Sequence, residues 1–275
     1  HIKTLVETVE PEYGIITNVG KAHLQGFGSF EGVVRTKGEL YDFLRSNPSS
    51  KVFIDAGNLH LMRISDGLHL IKYGVGENDG LSVRGEVVEC APFLHFRWTD
   101  GESWYDVNTH LIGSYNIYNM LAAATIGLHF GITPQAICHA LSSYEPSNNR
   151  SQLTNTAHNH LIVDAYNANP TSMSAALRNF RDMQVSPKMA ILGDMRELGE
   201  SSAEEHQKVV DFLSEAHLDN TWLVGEAFGK TTTSLRKFAD IDAVKAAIAE
   251  EQPRGYYILI KGSNGIKLYQ LPEIL

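Results

Sequence analysis

The chain has 275 residues, a soft expectation of two domains, and its 43% apolar and 20% charged content is ordinary for a globular protein. Acids outnumber bases for a net charge of −9, which disfavours duplex nucleic acid as a partner, and no apolar run approaches the ~20 residues of a membrane span. Two cysteines, Cys90 and Cys138, without CxxC spacing, and twelve histidines without an HExxH pair, argue against a disulfide framework and leave a soluble α/β protein of a reducing compartment.

The sequence begins at His1, where translation cannot start. A helical stub over 4–9 then leads through Pro11 into an apolar strand over 13–19. A helix–strand pair at the very terminus predicts a fragment cut inside a domain. A Gly-rich turn fills 20–29, followed by a helix over 30–44 with Val33, Val34, Leu40, Phe43 and Leu44 on one stripe. Val52-Phe53-Ile54-Asp55 reads as a short buried strand. Over 68–109 short strands alternate with Gly-Asp-Asn turns, the pattern of a small antiparallel flap on the core. Helices are predicted over 115–130 and 134–143. The breaker-rich stretch 145–151 is the best linker, placing a boundary between domains of 1–147 and 148–275. Beyond it, strands over 161–164, 189–192, 222–224 and 257–260 alternate with helices, which predicts a mostly parallel Rossmann-like sheet.

Chemistry concentrates at three places. Ligands of open α/β sheets bind beyond the carboxyl ends of strands, where Gly20, Gly26 and Gly28 surround His23, with Lys37 on the next helix. Spacing alone also fits a surface loop and a solvated lysine. Asn116 and Asn119 stand i,i+3 on a helix's first turn, so both amides face one way and suit an adenine edge; helix capping by Ser114 and Asn116 is the alternative. Asp164, Tyr166, Asn167 and Asn169 form a polar corner before Pro170, with Asn169 or Asp164 as a plain cap left open. By contrast, 225–231 mimics a phosphate loop but is one residue short, with Glu226 and Phe228 where amides should face phosphate. The carboxylates Asp194, Glu197, Glu200, Glu204 and Glu205 read as a solvated helix start, and His158 and His160 as exposed.

Taken together, Thr17-Asn18-Val19-Gly20-Lys21-Ala22-His23, Gly26-Phe27-Gly28-Ser29, Thr36-Lys37-Gly38-Glu39, Gly113 to Asn119, Asp164 to Pro170, Gly193-Asp194-Met195-Arg196-Glu197-Leu198-Gly199 and Lys261-Gly262-Ser263 resemble the Mur ligases of peptidoglycan synthesis. The match runs in family order across the chain. It implies the later part of a central ATPase domain, a mixed sheet with a small antiparallel flap, followed by a Rossmann-like C-terminal ligase domain. The family's phosphate loop and a magnesium-binding glutamate would lie upstream, so the isolated chain is expected to be inactive. The Tyr-Asn-Ala-Asn and Gly-Asp-Met-Arg-Glu-Leu-Gly stretches single out the branch that joins D-alanyl-D-alanine to UDP-N-acetylmuramoyl-tripeptide, using ATP and Mg²⁺, through an acyl phosphate.

The resemblance implies that His23 and a carbamylated Lys37 serve Mg²⁺ and that Asn116 and Asn119 contact adenine. Asp164 would face the ribose, and Tyr166, Asn167 and Asn169 would line the ATP cleft. Arg150 corresponds to an arginine at the hinge, preceded here by Asn148-Asn149 where relatives often have Pro-Gly; Lys261 and Ser263 would face the amine substrate. A cytoplasmic monomer is implied. Competing readings are a non-catalytic nucleotide- or partner-binding module, and another amide ligase of the superfamily such as folylpolyglutamate synthetase.

Overall fold

A computed structural model describes residues 2–20, 28–77, 80–90, 92–146 and 152–275. They fall into two units, one of residues 1–109 and 114–144, the other of 145–275 together with 110–113.

The first unit runs α1 (Ile2–Val9), β1 (Tyr13–Ile15), α2 (Phe30–Arg45), β2 (Lys51–Asp55), α3 (Leu59–Arg63), β3 (His69–Val75), β4 (Leu81–Cys90), β5 (Phe93–Thr99), β6 (Trp104–Ile112), a 3₁₀ turn (Ser114–Asn116), α4 (Ile117–His129) and α5 (Pro134–Ser143). The strands form one sheet in chain order. β1 to β4 are mutually parallel and β4–β5 antiparallel. The antiparallel flap is therefore present, but it runs on from the parallel strands without a break. α2 begins where Ser29 accepts from the Gly32 amide at 3.0 Å, and ends with Arg45 in its last turn, both favourable to a helix. The predicted strand over 13–19 pairs only to Ile15, yet Ile16 and Val19 stay buried with Tyr41, Leu44, Val52 and Ile54. Apolar content there records burial, not ladder pairing. α4 carries Leu121, Ala124 and Gly127 on its buried side and packs on β2, β3 and β4.

The second unit runs β7 (Gln152–Asn155), β8 (His160–Asp164), α6 (Pro170–Asp182), β9 (Lys188–Gly193), α7 (Ser202–Glu215), β10 (Thr221–Val224), α8 (Glu226–Gly229), β11 (Arg236–Phe238), α9 (Ile241–Glu251), β12 (Tyr257–Lys261) and two 3₁₀ segments, Asn264–Ile266 and Leu268–Glu273. Its sheet has the order β11-β10-β9-β12-β8-β7, parallel except for the antiparallel edge strand β7. Leu161, Val163, Ile191, Val224 and Ile260 share one face with Val244 and Ile248 of α9 and with Leu268 and Leu271. From β8 the chain steps through β9 and β10 to β11, then reverses to reach β12. Right-handed crossovers put the helices of the outward and return steps on opposite faces. β12, lying between β9 and β8, thus marks the reversal, the position at which open α/β sheets form a crevice. Among the described residues no helix is long and apolar enough to cross a membrane.

Candidate functional site

In the first unit, α2 sets Lys37 two turns past its cap, and the Lys37 Nζ donates to the Asn18 carbonyl at 2.9 Å. Among the described residues no carboxylate pairs with it, and burial holds its ammonium below the ordinary lysine pKa. Asn116 is 8% exposed and Asn119 is exposed; Asn119 Nδ2 donates to Asn116 Oδ1 at 3.3 Å, so the two amides do share one side of the turn. Asn116 occupies the N-cap position of α4 without making a side-chain capping bond. His23, Asn148, Asn149 and Arg150 lie outside the described residues.

Sequence reasoning passed over Asp55. It ends β2 at 8% exposure, its Oδ1 accepting from the Gly57 amide at 2.9 Å, and burial raises its pKa against that bond. The phenols of Tyr73 and Tyr118 are raised too, by burial first and then by the Asp55 charge. The available signal was an acid closing the apolar run Val52-Phe53-Ile54.

In the second unit, the register of β8 and β12 sets Asp164 opposite Lys261 at the carboxyl ends of neighbouring strands. Lys261 is 0% exposed, and a buried ammonium requires a counter-charge. Its Nζ lies 2.5 Å from Asp164 Oδ2 and 3.4 Å from the Asn167 carbonyl. The structure thus brings Asp164, Asn167 and Lys261 together, with the Tyr166 and Asn167 side chains exposed beside them. Asn169 caps α6: its side chain accepts from the Ser172 amide at 2.9 Å and Ser172 Oγ accepts from the Asn169 amide at 3.1 Å. Ser263 is buried, and its Oγ accepts from the Arg196 amide at 2.9 Å.

The loop after β9 departs from the expected solvated helix start. Asp194 is 8% exposed, and its two oxygens accept from the Ala227 and Phe228 amides at 2.9 Å each. The phosphate-loop mimic over 225–231 is therefore already satisfied by a carboxylate of the same unit. Gly225 makes this possible: at φ 121° its missing Cβ would lie 2.3 Å from Asp194 Oδ2. Glu205 is also buried, whereas Glu197, Glu200 and Glu204 are exposed. His206, fully buried, accepts from the Met195 amide at Nε2 (3.0 Å) and donates from Nδ1 to the Ser202 carbonyl (2.7 Å), the geometry of a neutral ring. His158 and His160 are exposed. Among the described residues no group of three or more His, Cys, Asp or Glu could hold a metal ion.

A mixed sheet with an amide pair at one helix start, joined in sequence to a Rossmann-like sheet with a Lys–Asp pair at its reversal, defines a class. Residues 1–127 match the Mur ligase middle domain and residues 149–264 the Mur ligase, glutamate ligase domain, and the chain belongs to the Mur ligase family. Among curated relatives, the UDP-N-acetylmuramoyl-tripeptide--D-alanyl-D-alanine ligase of Bacillus subtilis (strain 168) is 28% identical over 285 residues, covering 100% of this chain and 61% of the relative. The Escherichia coli (strain K12) enzyme of the same name is 29% identical over 279 residues, 98% of this chain and 61% of its own length. Of solved structures, MurF from Acinetobacter baumannii aligns with a TM-score of 0.86 and 26% identity over 99% of this chain and 61% of the other. MurF from Thermotoga maritima in complex with ADP shares the fold, with a TM-score of 0.85 at 20% identity over 99% and 63%. The chain spans about three-fifths of the length of these relatives.

Proposed function

We propose that the whole protein is a cytoplasmic ATP-dependent ligase that joins D-alanyl-D-alanine to UDP-N-acetylmuramoyl-tripeptide. In this reading residues 1–147 are the later part of the central ATP-binding domain and 148–275 the C-terminal ligase domain. The names of the relatives and the family-wide match support it.

The observation that carries the reading is Lys37. A half-buried lysine that faces a backbone carbonyl, with its pKa lowered by burial, holds more of the neutral amine than a surface lysine does. That amine adds to CO₂, forming an N–C bond and releasing one proton, and becomes an anionic oxygen donor. A carbamylated Lys37 would offer a hard divalent cation the oxygen donor it prefers, and His23, outside the described residues, would be the second holder by the resemblance. Bound there, Mg²⁺ would neutralise charge on the phosphoryl oxygens of ATP. By the resemblance, Asn116 and Asn119 would contact adenine and Asp164 the ribose, and Tyr166, Asn167, Asn169 and Arg150 are further nucleotide-contact candidates. Lys261, through Asp164 and the Asn167 carbonyl, would fix that corner, and Ser263 would steady the segment that meets the incoming amine. The carboxylate of the tripeptide would take the γ-phosphoryl group, and the dipeptide amine would then displace phosphate.

The test is ADP release by the whole protein. It is expected to require ATP, the UDP-tripeptide and D-alanyl-D-alanine together; nucleotide binding with no turnover under any combination would overturn the ligase reading in favour of a binding module.

A further inference from the structure

In the first unit, α2 and α3 line a cavity of about 460 Å³, within the roughly 300–1,000 Å³ of small-molecule sites. Glu31, Val34, Arg35, Gly38 and Asp42 supply one wall, their spacing placing them on a single stripe of α2. His60, Arg63 and Ile64 supply the facing wall. Phe30 joins the two, its ring T-shaped on His60 at 4.8 Å between centroids. Lys37 is off this stripe, turned to the Asn18 carbonyl, so the cavity is separate from the residues assigned to Mg²⁺ and ATP.

The walls are braced by the protein itself. Arg45, in the last turn of α2, donates from Nη2 to the Ile64 carbonyl and from Nε to the Asp66 carbonyl, each at 2.8 Å. The Asn58 side chain caps α3 by accepting from the Leu61 amide at 3.2 Å, and Leu61 is fully buried. A cavity with fixed walls costs little further ordering when it is filled. Charge decides what it can take. Asp42 is neutralised by Arg45 at 2.7 Å, and Glu31 stands in the first turn of α2, where the helix dipole favours it. Arg35 and Arg63 are exposed, and no carboxylate pairs with either among the described residues. Two such guanidiniums against one free carboxylate, around the half-buried Phe30, Val34 and Ile64, suit a single negative charge on an apolar body.

We propose that this cavity is a further small-molecule site that takes an apolar monocarboxylate, its carboxylate held by Arg35 and Arg63 and its apolar body packed on Phe30, Val34 and Ile64. The site stands independently of the ligase reading.

The experiment is calorimetric titration of the whole protein with 4-phenylbutyrate and with its uncharged counterpart, 4-phenylbutanamide. The acid is expected to bind at least about tenfold more tightly than the amide, the size of a charge-assisted pair. Exchanging both exposed arginines, Arg35→Gln with Arg63→Gln, is expected to erase that preference. Val34→Trp, which fills the space, is expected to weaken acid and amide alike; should it fail to fold by circular dichroism, the arginine exchange carries the test. Saturating ATP should leave the affinity for the acid unchanged. Equal affinity for acid and amide, a preference that survives the double exchange, or binding of neither probe overturns the proposal. Displacement of the acid by ATP also overturns it, placing the probe in the nucleotide cleft.

Discussion

Lys37 and Asp55 illustrate how burial acts in opposite senses on a base and an acid within one unit. Burial favours the neutral amine of Lys37, so carbamylation should proceed at lower pH than at a surface lysine and increase as the pH rises. Lys37→Ala in the whole protein is expected to lower turnover about a hundredfold or more, without recovery in added bicarbonate, measured as ADP release. Turnover within a factor of two of wild type would remove the carbamate from the mechanism. For Asp55 the folded-state pKa is raised, with burial outweighing the Gly57 hydrogen bond. Between the ordinary carboxylate value and that raised one, the folded state keeps a proton the unfolded chain has lost. Stability therefore falls as the pH rises through the window and stays lower above it. Asp55→Asn keeps the acceptor for Gly57 and is expected to raise the melting temperature at pH 7, with the gain shrinking in acid. A gain that does not change with pH would show that desolvation is not the cause.

At the scale of elements, helices were legible where the chain carries its own start signals. Ser29, Thr133 and Asn169 each accept from an amide three residues on, and the helices begin right behind them. Removing the Asn169 cap by Asn169→Ala should cost about 1 kcal/mol in chemical denaturation. What sequence could not show were contacts between distant segments. Asp194 and the amides of 227–228 are 33 and 34 positions apart, so the carboxylate read as part of a solvated helix start and the turn as a failed phosphate loop, with nothing in the sequence to join them. Lys261 and Asp164, 97 positions apart, read separately as an amine-facing lysine and a ribose-facing acid, and their pairing needed the strand register. Gly225→Ala would force a Cβ into the Asp194 carboxylate at a positive φ, and is expected to lower stability by about 1–3 kcal/mol in thermal melts. A neutral result there would mean the turn can shift off its carboxylate.

For the whole molecule, the alternation of strand and helix beyond the linker already implied a parallel sheet. The strand order, the antiparallel edge β7 and the return of β12 to the middle did not follow from it. Periodicity reports which residues are buried, whereas strand order depends on which crossover passes over which strand. Each unit has its own sheet and buried apolar cluster. A polypeptide of residues 145–275 is accordingly expected to unfold in one cooperative calorimetric transition, and a broad, non-cooperative melt would show that residues 110–113, grouped with that unit, are needed to complete it.

The amides at 227 and 228 are quenched from within by Asp194. Crystals grown from concentrated sulfate or phosphate should show no density for either anion at this turn. A search that scores glycine-lysine-threonine strings for nucleotide affinity will keep misfiring here, because the vacancy it looks for is filled by a side chain that the string does not contain.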